Sequence, residues 1–344
     1  MHDRLPSSDD KTLWDLHLSG LAFPAVTAAD ELGIFDEIAR APATAAELAD
    51  RRNLNPRAIR ALLPLLASSG FLLQRLGRYH VSETAECFLL RTSPFYWGPV
   101  FSLMRNLKLS HDVVLKALQA PRSSARWDQT AEGNPTNAWA EGQIAPDLAQ
   151  AIAAYMHANC LPAALVAAQR LDLANVGKLL DVGAGSGCFS IAFAQLNPRL
   201  QCTLMDLQAM CDIAMGYARA AGVHDRIDGR AVDMFRQEWP RGYDAIFFSN
   251  IFHDWDFETC ASLASKAYAA LPSGGRILVH EMLLEDTHDG PATATAFSFY
   301  MLLSTKGQQF TAGELAKLLT DVGFAAIRVI PSHGYYSVVA AEKP

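Results

Sequence analysis

Two rhythms of hydrophobic and polar residues run along this chain, and they change over near residue 178. The first part keeps the spacing of amphipathic helices. Apolar positions recur at helical intervals from Leu21 to Val26 and on through Leu32, Ile34 and Phe35. Thr44 precedes a short helix-forming run with Glu47 three residues on, the pattern of a capping box. Asn55-Pro56 opens a third helix, since proline suits a first turn, and its stripe of Ile59, Leu62, Leu63, Leu65 and Leu66 ends at Gly70, a C-terminal cap. Phe71–Gln74 and Arg78–Val81 then read as extended pieces around a turn at Gly77. Three helices followed by a hairpin make a winged helix. Residues 99–172 return to helical spacing, with a loop starting at Pro121 between two of the helices.

The second rhythm alternates short apolar strands with helical stretches. Strands are expected at Lys178–Val182, Cys202–Asp206, Asp228–Val232, Asp244–Ser249, Arg276–Val279, Ile327–Ile330 and Ser337–Ala341. Helical segments separate the first five, which predicts a mostly parallel sheet covered on both faces. Only residues 331–336 join the last two strands, too few for a crossover helix, so those two should pair antiparallel.

Composition narrows the reading. A chain of 344 residues fits two domains. We expect a winged-helix dimerisation domain over 1–100 and a catalytic domain over 101–344, in which 101–172 is helical and lines the substrate. Half the residues are hydrophobic and net charge is −7. Nucleic acid is therefore not an expected partner, because phosphate contacts need a basic face. Arg51, Arg52, Arg57 and Arg60 do cluster near the third helix, but the rest of that helix is too apolar to face a DNA groove. That apolar helix and the stripe from Leu21 to Phe35 instead predict a homodimer. No run of the ~18–20 apolar residues needed to cross a bilayer is apparent, and the polar first ten residues lack the apolar region of a secretory signal. Six scattered cysteines (Cys87, Cys160, Cys188, Cys202, Cys211 and Cys260) form no C-x-x-C pair. These features predict a cytoplasmic protein with no membrane partner.

The chemistry begins at Leu179–Cys188, where a strand runs into a helix through Gly183, Gly185 and Gly187. Glycines there allow a tight turn and the close approach of a ligand. The G-x-G-x-G spacing differs from the G-x-G-x-x-G of pyrophosphate-binding loops, and no Lys-Ser/Thr follows to make a P-loop. Asp206 ends the second strand, where a carboxylate accepts hydrogen bonds from ribose hydroxyls. Asp233-Met234 ends the third, placed for an adenine amine and the face of its ring.

Taken with Phe252-His-Asp-Trp, Ala270–Arg276 and Phe310–Leu315, these stretches resemble the plant- and bacterial-type small-molecule O-methyltransferases, the caffeate and hydroxyindole O-methyltransferase group. The resemblance spans nearly the whole chain. It implies a class I methyltransferase fold, a Rossmann-like seven-stranded α/β sheet, behind a helical winged-helix dimerisation domain, with S-adenosyl-L-methionine as cofactor and no metal. Cofactor contacts are then expected at Asp181, Gly183, Gly185, Gly187, Asp206, Leu207, Asp233, Met234, Ser249 and Trp255. The family's general base maps onto His253. One of the two acids that orient it maps onto Glu281, whereas the position of the second holds Gln309, which brings no charge. A phenol ionises near about 10 and an unperturbed imidazole near about 6.5, so a base at this position speeds attack by typically 10²–10⁴-fold.

Aromatic, sulfur and amide side chains at Trp97, Met104, Trp139, Tyr155, Met156, Asn159, Phe297, Tyr300 and Met301 are candidates for a flat acceptor slot. The expected function is methyl transfer to a hydroxyl of a small aromatic metabolite. Alternatives are transfer to carbon or nitrogen, or a non-transferring reaction such as hydroxylation or decarboxylation on the same scaffold, which Gln309 leaves open. A metal site drawn from His253, Asp254, Asp256, His280, Glu281 and His288 lacks compact ligand spacing. An NAD-dependent oxidoreductase conflicts with the glycine spacing.

Overall fold

The computed structural model describes residues 8–105, 110–119 and 144–344. Trp139 and the loop expected from Pro121 lie outside the described residues. The chain folds as two units, 1–107 and 108–344.

In the first unit, α1 (Lys11–Ser19), α2 (Ala22–Glu31), α3 (Ile34–Arg40), α4 (Ala45–Arg52) and α5 (Pro56–Ser68) precede a hairpin of β1 (Leu72–Arg75) and β2 (Arg78–Val81). α6 (Glu83–Phe88) and α7 (Gly98–Met104) follow. The local signals hold. Thr44 and Glu47 form the reciprocal capping box of α4, and the Asn55 side chain caps α5 ahead of Pro56. Phe35, Ile38, Leu48, Leu63 and Leu66 make the core. Ile34 and Phe35 are thus spent inside the unit, and the free apolar surface lies nearer the N-terminus, on Leu13, Trp14, Leu16, Leu18, Leu21 and Phe23. α7 straddles residue 100 yet stays in this unit because Phe101 is buried with Leu89 and packs edge-on against Trp97. Trp97 and Met104 accordingly belong to the first unit. Arg51 and Arg52 donate to the carbonyls of Ala41 and Leu32, which ties two of the clustered arginines to their own unit.

The second unit opens with α8 (His111–Gln119) and α9 (Pro146–Arg170). α9 corrects the reading of the apolar runs: its 25 residues are long and apolar enough on average to span a bilayer. Its buried face is alanine-rich (Ala149, Ala153, Ala164, Ala167) and packs on α10 (Cys188–Leu196) and α11 (Gln208–Ala220), so much of that apolarity is core. The strands are β3 (Lys178–Val182), β4 (Gln201–Asp206), β5 (Ile227–Ala231), β6 (Ala245–Ser249), β7 (Arg276–Met282), β8 (Ala325–Pro331) and β9 (Tyr336–Glu342). α12 (Phe257–Ala270), α13 (Ala292–Ser304) and α14 (Ala312–Val322) complete the unit.

The seven strands lie in the order β5-β4-β3-β6-β7-β9-β8, parallel except for β9, which is antiparallel to both its neighbours. β8 and β9 pair antiparallel as the short connection required. The order reverses between β3 and β6, and the crevice at such a reversal, beyond the carboxyl ends of the strands, is where open α/β sheets bind ligands.

Candidate active site

The loop after β3 turns on left-handed glycines, Gly183, Gly185 and Gly187, with φ of 68°, 58° and 71°. A side chain at Gly183 would collide with Ile251, and one at Gly185 would meet the Met156 sulfur at 2.8 Å. At the tip of β4, Asp206 Oδ2 accepts from Gly185 N at 2.8 Å and Oδ1 from Leu207 N at 2.7 Å. Each oxygen keeps lone-pair capacity for a ligand hydroxyl. Burial pushes this carboxyl up to about 6, against the pull of the two amides. Asp181, 3% exposed, accepts from the Ser190 hydroxyl at 2.7 Å. Burial raises it to about 7, Ser190 opposes the rise and the charge of Asp206 adds to it.

Asp181, Gly183, Gly185 and Asp206 line a cleft with about 910 Å³ of free space, open solvent at its mouth included, whereas Gly187 does not line it and sits against Leu204 and Ala214. Leu207, Met234, Ser249 and Trp255 line it too. Trp239 donates to Met234 O at 2.9 Å and Lys266 to the carbonyls of Met234 and Phe235 at 2.9 and 2.6 Å, which pins the loop after β5. The Phe235 ring then meets Trp255 edge-on at 4.7 Å. Asp233 also lines the cleft, but its oxygens already hold the amides of Phe235 and Arg236 and the Arg236 guanidinium. Burial works to raise its pKa and is outweighed by those three donors, so Asp233 stays below the usual carboxylate range. Four aspartates (Asp181, Asp206, Asp233 and Asp254) and no lysine or arginine stand among the described residues of this wall.

Beyond β6 a single 3-10 turn, Phe252–Asp254, carries His253. Glu281, near the end of β7, lies with Oε2 2.8 Å from His253 Nδ1 and Oε1 3.3 Å from the His253 amide. Glu281 Oε2 is therefore the charged partner of the ring at Nδ1, although it makes no well-aligned hydrogen bond there, and a neutral ring with its proton on Nδ1 would keep its lone pair on Nε2. Asp254 sits 3.7 Å from Nε2. The Gln309 amide nitrogen is 3.1 Å from Nδ1, and its oxygen is buried with no partner among the described residues. If Nδ1 carries a proton, that N–H and the Gln309 NH2 are two donors facing each other, and turning the amide over would aim Oε1 at the proton instead. All three side chains are buried, His253 at 5% exposure and the other two at 0%. Burial alone would push His253 down, but Glu281 and then Asp254 outweigh it and lift the imidazole to about 9. Gly307 positions Gln309: a Cβ there would strike the backbone from His253 to Trp255, and Lys306 N donates to Asp254 O at 3.2 Å.

The proposed acceptor residues separate. Met156 lies under the glycine loop and lines the cleft. The Phe297 ring meets His253 edge-on at 5.3 Å and stacks parallel to Tyr300 at 6.2 Å. Tyr155 is pushed well above its ordinary value by burial, with Tyr300 and Asp254 near enough to add to the effect. Met301 is buried on α13, and Asn159 is half-buried on α9. Sequence reasoning did not assign Cys160, Cys188, Asn250 or Asp254 to the cofactor cleft, weighing Asp254 only as a metal ligand, and all four line it. Cys160 was findable, being four residues and one helical turn beyond Met156. Asn250 gave no signal in sequence, yet it takes a left-handed φ of 55° to turn the chain from β6 toward His253.

Residues 123–325 match the O-methyltransferase domain family and residues 14–91 the O-methyltransferase dimerisation domain. The 3-hydroxy-5-methyl-1-naphthoate 3-O-methyltransferase of Streptomyces sahachiroi is 32% identical over 320 residues, covering 92% of this chain and 91% of that protein. The L-tyrosine C(3)-methyltransferase of Streptomyces lavendulae is 28% identical, covering 88% and 83%. Among solved structures, human N-acetylserotonin methyltransferase in complex with SAM has the same fold, with a TM-score of 0.78 at 24% identity over 98% of this chain and 99% of that one.

Proposed function

The chain belongs to the O-methyltransferase family and carries its dimerisation domain, and on that premise we propose that it transfers a methyl group from S-adenosylmethionine to a hydroxyl of a small aromatic acceptor, with His253 as general base. The observation that carries the cofactor is the charge of the cleft. Asp233 is held by Arg236 and Asp254 lies beside His253, but Asp181 and Asp206 face the cleft with no cationic partner among the described residues, which suits a positively charged nucleoside and disfavours a pyrophosphate. A sulfonium or ammonium nearby would also draw Asp181 and Asp206 to their charged forms.

Bound there, S-adenosylmethionine supplies an electrophilic methyl on cationic sulfur. Asp206 holds the ribose hydroxyls through the lone pairs its loop amides leave free. Met234 and Trp255 offer apolar surface to the base. His253 Nε2 takes the acceptor proton as the oxygen attacks the methyl carbon, while Glu281 fixes the ring through Nδ1 and stabilises the imidazolium. The products are a methyl ether and S-adenosylhomocysteine. Since Glu281 and Asp254 hold the imidazole near about 9, the base must first lose a proton at neutral pH.

Calorimetry should give micromolar binding of S-adenosylhomocysteine and none of NAD. Tight NAD binding would overturn the cofactor, and a C–CH3 or N–CH3 resonance in the purified product would overturn transfer to oxygen. We further propose a cytoplasmic homodimer that uses neither nucleic acid nor a membrane. The apolar side chains exposed on α1 and α2, such as Leu13, Trp14 and Leu16, support the dimer, and the net charge of −7 argues against nucleic acid. Sedimentation should show twice the chain mass at micromolar concentration, and a lone monomer would contradict it.

A further inference from the structure

One buried histidine takes no part in the mechanism above. His280 is the register partner of Ser249 across β6 and β7, and its Nδ1 lies 2.9 Å from Ser249 Oγ. The ring is 0% exposed. It stacks on Tyr336 at 4.9 Å and 5° and packs against Phe189 at 4.8 Å. Nε2 is buried with no partner among the described residues. Burial drives the imidazole down to about 3, so the ring is neutral and carries a single N–H.

That one proton has two possible seats. On Nε2 it would be an orphaned N–H among aromatic rings, and the Ser249 hydroxyl would be spent on Nδ1. On Nδ1 it is satisfied by Ser249 Oγ, and the unpartnered atom is only a lone pair. Buried unpaired N–H groups are the rarer and costlier of the two. The δ tautomer therefore prevails, and it leaves the serine O–H free. Ser249 lines the cleft beside aspartates, which in their charged forms only accept.

We propose that His280 is a positioning residue that turns the Ser249 hydroxyl into a hydrogen-bond donor aimed at an acceptor atom of the bound nucleoside. The inference rests on the cofactor reading above. It assigns the carboxylates to the donor groups of the nucleoside and Ser249 to one of its ring nitrogens or oxygens.

Two measurements test it. The first needs no ligand: nitrogen-15 NMR of the wild-type protein should find His280 protonated on Nδ1 and bare on Nε2, and the opposite tautomer would overturn the proposal. The second is a double-mutant cycle on S-adenosylhomocysteine binding by calorimetry. Ser249→Ala should weaken binding roughly 5–15-fold, the scale of one hydrogen bond. His280→Phe keeps the aromatic packing and touches no ligand, yet should weaken binding by a smaller but measurable factor, since the serine keeps its proton and loses the N–H that fixes its direction. The double variant should be no weaker than Ser249→Ala alone. Multiplying losses, or full affinity in a folded His280→Phe, would overturn the coupling. Should His280→Phe fail to fold, the wild-type tautomer decides alone. Absence of S-adenosylhomocysteine binding to the wild type would instead sink the cofactor reading and leave the tautomer result standing.

Discussion

Replacing Glu281 by glutamine removes the charge that governs His253 while keeping the shape of the side chain. An imidazole at 5% exposure should titrate below its ordinary 6.5, yet it is held near about 9. That lift corresponds to about 3 kcal/mol favouring the imidazolium, at about 1.36 kcal/mol per tenfold change in proton affinity. At pH 7 roughly 1% of the free enzyme would carry the neutral base. With Glu281 neutral, Asp254 at 3.7 Å is the remaining charge beside the ring and burial should prevail, so the His253 midpoint should fall to about 6.5 or below. The sign matters for catalysis: the acidic limb of kcat/KM should move to lower pH, while the alkaline plateau drops because the imidazolium loses its stabiliser. NMR titration of the His253 ring reads the midpoint directly, and pH–rate profiles with a phenolic acceptor that the wild type methylates read the limb. A midpoint that moves by less than about half a pH unit would refute Glu281 as the source of the lift.

Asp206→Ala should weaken S-adenosylhomocysteine binding roughly 10–150-fold, since it removes charge-assisted hydrogen bonds worth about 1.5–3 kcal/mol, and calorimetry would measure it. Unchanged affinity would exclude the ribose contact. Gly307→Ala should lower kcat and also weaken cofactor binding, because the added Cβ must displace the backbone from His253 to Trp255, which carries both the proposed base and a wall of the cleft. Steady-state kinetics beside calorimetry would separate the two effects.

Local signals wrote much of the fold into the sequence. The capping box at Thr44, the Asn55-Pro56 start and the bounds of β3 to β6 were legible to within a residue because each depends on neighbours in the chain, whereas β7, β8 and β9 run to seven residues each, longer than their apolar cores suggested. The insertion of β9 between β7 and β8 was not, since pairing partners in a sheet are chosen by packing across distant segments. In the cleft, Asp206 and the glycines were readable from position at strand ends. The commitment of Asp233 to Arg236 was not, because a carboxylate's partners depend on how its own turn closes. His253 was legible as a candidate base, but its high proton affinity arises from Glu281, 28 residues away in sequence, and from Asp254 beside it. The acceptor slot was hardest. Phe297 meets His253, whereas Trp97 and Met104 sit in the other folding unit, and hydrophobicity alone does not distinguish the two cases.

The central claim is that His253 removes the acceptor proton during methyl transfer. The most direct test is S-adenosylhomocysteine release by His253→Ala with a phenolic acceptor that the wild type methylates, followed from neutral pH to beyond the acceptor's own pKa. Turnover should fall 10²-fold or more near neutrality with cofactor affinity nearly unchanged, and the deficit should shrink as the acceptor ionises unaided. Full methyl transfer by His253→Ala at neutral pH would contradict the account.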